Sequence, residues 1–144
     1  MLAPAISSVL ETILYVDDMV RARTFYEEVM GLEAGIADDF MTAYRVGNTM
    51  LLLFVRGSRL EDQEMPNGDL IPPHDGSGPA HFAFATAQEN MDAWRTHLET
   101  HYIEVISTVR WERSGTTSLY FHDPDGHVVE IASPGLWGID QTAI

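Results

Sequence analysis

The segment YFHDPDGHVVEI, residues 120–131, reads as a strand, a tight acidic turn and a returning strand that carries one carboxylate, Glu130, among apolar neighbours. Val128, Val129, Ile131 and Ala132 predict a buried strand, where an ionised carboxylate is costly unless it meets a cation, a donor network or a metal. Outward from it, GPAHFAFAT (residues 78–86) repeats the pattern, with His81 leading Phe82, Ala83, Phe84 and Ala85. Two potential ligands thus sit on two apolar strands.

At 144 residues and 45% apolar content, the chain suits one ordinary domain or two very small modules sharing a core. No run approaches the length of a membrane helix, and the start MLAPAISSVLE lacks both a basic n-region and a long apolar h-region, so the expected location is cytoplasmic. There is no Cys and no Lys, and all eight cations are Arg. Disulfides, thiol nucleophiles, thiolate metal sites and Schiff bases on an enzyme Lys are therefore excluded. A formal charge of -14 disfavours nucleic acid and anionic membranes, both of which recruit basic patches, and leaves a small molecule as the expected partner.

Residues 10–16 (LETILYV) alternate as a half-buried strand with Glu11, Ile13 and Tyr15 on one face. Asp17 or Asp18 caps a helix in which Met19, Ala22, Tyr26 and Val29 recur at helical spacing, and Gly31 ends it. Residues 41–46 and 49–55 flank Gly47-Asn48, a two-residue hairpin signal, after a short strand near Ala37. The second half repeats the order with a strand at 80–86, a helix near 88–100 and strands near 103–112, 116–121 and 127–132. Glu11 and His81 open the first strand of each half. The organisation is one domain over residues 1–144: module one at about 8–56, a Gly/Pro-rich linker at about 57–79, and module two at about 80–135. A connection this long is usually functional or mobile; it either lies over a site, crosses to another subunit, or is an exposed linker.

With LYVDDMVRARTFYEEVMGLE (residues 14–33), HFAFAT (81–86) and SLYFHDPDGHVVEIASPGLW (118–137), the chain resembles the vicinal oxygen chelate superfamily of glyoxalases, extradiol dioxygenases, fosfomycin-resistance enzymes and bleomycin-binding proteins. The resemblance implies an α+β fold of tandem βαβββ modules forming a curved, mostly antiparallel sheet, whose concave side holds a divalent metal and is often completed across a homodimer. Position by position it implies Glu11, His81 and Glu130 as metal ligands. The fourth family position falls within residues 50–54, where only Met, Leu and Phe stand, leaving three ligands as in fosfomycin-resistance enzymes and dioxygenases. Glu11 departs from the family, which commonly places His or Gln there.

Two carboxylates and one imidazole suit Mn, Fe, Co, Ni or Zn, and three ligands leave open positions for a chelating substrate, the layout of a catalytic site. Should Glu11 not bind metal, it serves as a general base, given partial burial. In VRWERSGTTSLYF (109–121), Arg110, Ser114 and Ser118 are four apart, and Ser118 and Tyr120 alternate onto one strand face. The spacing is similar to the anion-binding residues of fosfomycin-resistance enzymes; the other reading is an exposed hairpin. Tyr15 is expected to line the same cup, with Tyr120 and Glu11 as catalytic groups. His74, in the long connection, is a further acid, base or ligand candidate. His122 and His127 flank the Asp-Pro-Asp-Gly turn and read as surface residues, and Trp137 as packing over the sheet or across a dimer contact, with substrate stacking as its other role. The favoured function is Lewis-acid metal chemistry on a small oxygen-rich anion, as an isomerase, lyase or thiol transferase. The alternatives are a non-haem iron ring-cleaving dioxygenase and a metal-free drug-binding protein.

Overall fold

A computed structural model describes residues 1–140 and 142. Strand β1 (Glu11–Val16) leads to α1 (Met19–Thr24), which runs on as a π-helical turn (Phe25–Val29). Strands β2 (Ala34–Ala37), β3 (Met41–Val46) and β4 (Thr49–Val55) complete the first half. A connection carrying the short hairpin β5 (Gln63–Glu64) and β6 (Leu70–Ile71) leads to β7 (His81–Ala85), α2 (Met91–Thr100), β8 (Ser107–Trp111), β9 (Thr116–His122) and β10 (Val128–Ala132). The two halves build the same curved sheet, in the orders β1-β4-β3-β2 and β7-β10-β9-β8. In each, the first and last strands pair parallel and the other pairs are antiparallel. The fold is α+β, and no helix among the described residues is long and apolar enough to cross a membrane.

Local chemistry sets the elements. Asp18 is extended and its side chain accepts the Arg21 N–H, capping α1. Gly31 has φ 71°, a left-handed conformation that stops the helix at little cost. Gly47 (φ 59°) with Asn48 turns β3 into β4. Residues 103–106 lie outside the regular strand, so β8 starts later than the apolar pattern predicts.

The two halves share one core. Leu14, Val16, Tyr26 and Leu53 from the first pack in the same buried cluster as Leu98, Leu119, Phe121 and Ile131 from the second. A polar clamp lies beside it. Tyr26 Oη donates to Asp123 Oδ2 (2.7 Å), and the Asp17 amide donates to Asp125 Oδ1 (2.8 Å). His127, expected at the surface, is 2% exposed: its Nδ1 accepts the Ala80 N–H at 2.9 Å, so the ring proton sits on Nε2 and is donated to the Tyr15 carbonyl at 2.8 Å. The turn folds inward because both ring nitrogens find backbone partners there.

A second apolar cluster lies on the other face of the first sheet, where Ala43, Leu52 and Phe54 are buried with Ile13, Tyr15 and Met41 against them. The connection before β7 is anchored beside it. Arg56 Nε pairs with Asp17 (2.9 Å) while its Nη1 donates to the Gly76 carbonyl (2.6 Å), and Asp75 Oδ1 accepts the Gly57 N–H (3.0 Å). Gly76 packs so closely on the Tyr15 ring that a Cβ would strike it. The segment is therefore docked over the first sheet rather than free.

Candidate functional site

The second sheet carries a His81–Glu130 pair beside a cavity. β10 is a central strand, so Glu130 is flanked by Tyr120 on β9 and Ala83 on β7, with His81 one rung along on the same face. Glu130 is 5% exposed, and its Oε1 is buried without a hydrogen-bond partner. Its Oε2 lies 3.3 Å from His81 Nε2. His81 Nδ1 sits 2.9 Å from the Val128 carbonyl, which has no proton to give, so Nδ1 carries one and Nε2 is the nitrogen left for a ligand or a second proton. Tyr120 stacks on the His81 ring (6.0 Å between centroids), and its phenol is held above the usual range, by burial first and then by the Glu130 charge.

These donors fit a divalent ion. Two ligands of one ion at bond lengths near 2.1 Å stand roughly 3.0–3.4 Å apart for bond angles between 90° and 109°. The separation of His81 Nε2 and Glu130 Oε2 matches that, and the Nδ1–H···O=C bond is the outer support that orients ligating imidazoles. The orphaned Oε1 supplies a further acceptor.

A cavity of about 380 Å³ opens on this pair, walled by Trp111, Tyr120, Leu136 and Trp137. Trp137 is 81% exposed, and its short 3-10 helix (Pro134–Trp137) follows β10 directly. Ser118 is fully buried and its Oγ accepts the Trp111 indole N–H at 2.8 Å, so it orients that wall. Sequence reasoning missed Trp111, although its alternation with Val109 and its pairing opposite Thr116 place it on the Ser118 and Tyr120 face.

Arg110 does not join them. It pairs with Thr117 and so points to the opposite face of the sheet, toward α2, where it lines a separate cavity with Asp92, Arg95 and Thr108. The four-residue spacing was read without the hairpin register that decides the face. Ser114 lies in the β8–β9 turn, bonded to Thr116 Oγ1 (2.7 Å), and does not line the His81 cavity.

Glu11 is exposed at the start of β1 and opens on a different cavity, of about 610 Å³, over the first sheet. Tyr15, Phe54, Arg59 and His74 line its other end. Tyr15 Oη and His74 Nδ1 are 2.7 Å apart, and burial, then the Asp75 charge, raises the Tyr15 phenol. Among the described residues, no three His, Cys, Asp or Glu side chains of one chain gather to hold an ion, and Glu11 lines a different cavity from that of His81 and Glu130.

Known proteins are similar to this chain in fold and sequence. A crystal structure of lactoylglutathione lyase from Agrobacterium tumefaciens superposes with a TM-score of 0.84 at 34% identity, covering 94% of this chain and 100% of that one. Metallothiol transferase FosB of Bacillus licheniformis is 28% identical over 116 residues, 81% of this chain and 68% of its own length. Glutathione transferase FosA of Serratia marcescens is 26% identical over 118 residues, 82% of this chain and 74% of its own. Residues 7–131 match the Glyoxalase/Bleomycin resistance protein/Dioxygenase superfamily, and with most of its length inside that match the chain belongs to this family.

Proposed function

We propose that the protein is a cytoplasmic, homodimeric metalloenzyme acting on a small oxygen-rich anion, as a lyase, isomerase or thiol transferase. The observation that carries this reading is the His81–Glu130 pair, with a fixed imidazole proton, a bare Nε2 and a buried carboxylate oxygen that lacks a partner. Relatives named as a lactoylglutathione lyase and as thiol transferases support the reaction class.

His81 and Glu130 would hold the ion, with Glu11 of a second copy as third ligand. β1 and β7 are edge strands of their sheets, and pairing two copies so that the cavities face each other would complete the site twice. A divalent ion there supplies Lewis acidity toward adjacent substrate oxygens. Tyr120 keeps its proton and donates a hydrogen bond from Oη, Trp111 and Trp137 exclude water, and Ser118 fixes the Trp111 ring. Tyr15 contributes from the other half-cup. Glu11, exposed in a single copy, is the remaining carboxylate able to take a proton next to a polarised carbonyl if it does not ligate and a second copy covers it.

The test is metal content by plasma mass spectrometry of untagged protein, with His81→Ala and Glu130→Ala alongside. Near-stoichiometric Mn, Fe, Co, Ni or Zn, lost in both variants, is the expected result. No metal after reconstitution with each ion would sink the reading and favour a metal-free binding protein, for which the Trp111, Leu136 and Trp137 wall is suited to aromatic ligands. Oxygen consumption by an iron-loaded protein would instead indicate a dioxygenase.

A further inference from the structure

Arg59 is the only guanidinium lining either half-cup among the described residues. Its Nε is buried and has no partner, while Nη1 reaches only the Ser58 carbonyl at 3.3 Å. Among the described residues no carboxylate lies within ion-pair reach of it, in a chain with 22 Asp and Glu against eight Arg. Arg21, Arg23 and Arg56 have acidic partners, and Arg45, Arg95, Arg110 and Arg113 share Arg59's lack of one, but among the described residues Arg59 alone has a guanidinium nitrogen buried without a partner. Arg59 instead lies over the Phe54 ring, 5.3 Å from its centroid, and its own carbonyl accepts the His74 N–H at 2.8 Å. A guanidinium with a buried, unpartnered nitrogen, without a carboxylate in reach and beside a cavity, is placed to receive an anion from outside.

A second donor stands with it. His74 packs edge-on against Phe54 (4.8 Å between centroids) and shares one hydrogen bond with Tyr15. If Tyr15 donates, the proton of neutral His74 is on Nε2; if His74 Nδ1 donates, the Tyr15 hydroxyl hydrogen is free. Either way the pair keeps one donor to offer.

From this cluster, we infer that the cavity over the first sheet binds an organic monocarboxylate with an apolar body, its carboxylate held by Arg59 and the Tyr15–His74 pair. Three rungs of the β1–β4 pairing set the ligand's shape: Glu11 opposite Met50, Ile13 opposite Leu52, and Tyr15 opposite Phe54. The carboxylate sits at the Tyr15 rung, and the apolar body crosses Ile13 and Leu52 toward the Glu11 rung, a strand length of roughly 13 Å. Glu11 and Asp38 line the same cavity, and Asp75 is close enough to raise the Tyr15 phenol, so one negative charge is tolerated better than the two of a phosphate. Binding stands on this cavity alone. That the ligand is the enzyme's substrate rests on the function proposed above.

The experiment is isothermal titration calorimetry of the full chain with 4-phenylbutyrate, its neutral match 4-phenylbutyramide, and inorganic phosphate. The expected result is saturable binding of the acid, with the amide and phosphate at least about tenfold weaker, a loss the size of one charge-assisted contact. Arg59→Met should bring the acid down to the amide's affinity, and Arg110→Met, on the α2 side of the second sheet, should leave it unchanged. Equal affinity for acid and amide in the unsubstituted protein, undiminished binding by Arg59→Met, or no saturable binding up to about 10 mM would each overturn the inference. Loss in His81→Ala but not in Arg59→Met would place the carboxylate at the His81–Glu130 pair, overturning this site while sparing the metal reading. Arg59-dependent binding by a protein that takes up no metal would do the reverse.

Discussion

The imidazole of His127 donates to the backbone carbonyl of Tyr15 at 2.8 Å, tying the last turn of the second half to the first strand of the chain. His127→Ala removes this bond, orphans the Ala80 N–H and opens a buried space. A loss of about 2–4 kcal/mol is expected, read as a lower urea midpoint with an unchanged slope.

Glu130 should lower the stability of the fold that carries it. Its carboxylate is almost wholly buried with one oxygen unpartnered, so in EDTA the metal-free Glu130→Leu variant is expected to be more stable than the natural chain by about 1–3 kcal/mol. Urea unfolding checks this, and a destabilised variant would mean that the carboxylate is satisfied without an ion.

If Glu11 of one copy completes the His81–Glu130 half-site of another, two inactive variants should rescue each other. In a mixed dimer of Glu11→Ala and His81→Ala, one site has lost both groups and the other retains both. After unfolding and co-refolding, about half of the dimers are mixed and about a quarter of all sites are intact, assuming random two-fold pairing. Metal content near that fraction, against almost none in either variant alone, supports the shared site; no recovery argues for ligands from one chain.

Alkaline pH should act through Tyr26. Burial first and the Asp123 charge second push its phenol well above the usual range. The stability this contributes is complete below the unfolded-state value near pH 10 and is lost as pH rises above it, because the unfolded phenol ionises while the folded one does not. The slope approaches about 1.4 kcal/mol per pH unit. Tyr26→Phe should be less stable at pH 7 by about 1–3 kcal/mol, since Asp123 Oδ2 loses its donor, yet lose stability less steeply above pH 10. Urea titrations from pH 7 to 11 compare the two.

Most of the architecture was legible because it rests on short-range signals: alternation in β1, the Asp18 cap, the left-handed Gly31, and Gly47-Asn48 between β3 and β4. The burial of Glu130 was legible from its apolar neighbours. What failed depended on register or on distant parts of the chain. Arg110 was grouped with Ser118 by spacing, but the pairing of Trp111 with Thr116 assigns it to the other face. His127 sits beside a polar turn, and its burial requires Ala80 and Tyr15, 47 and 112 residues away. The Arg59 cluster had no local signal, since it forms only when residues 57–79 fold back onto Tyr15 and Phe54.

The core common to both halves makes the protein a single cooperative unit despite its internal repetition. Neither sheet closes its apolar face without the other, so one calorimetric transition is expected rather than two, with matching van't Hoff and calorimetric enthalpies. A protease cut within residues 57–79 would leave two fragments that migrate together under native conditions and separate only in denaturant. Two copies of one topology here depend on each other for a shared core.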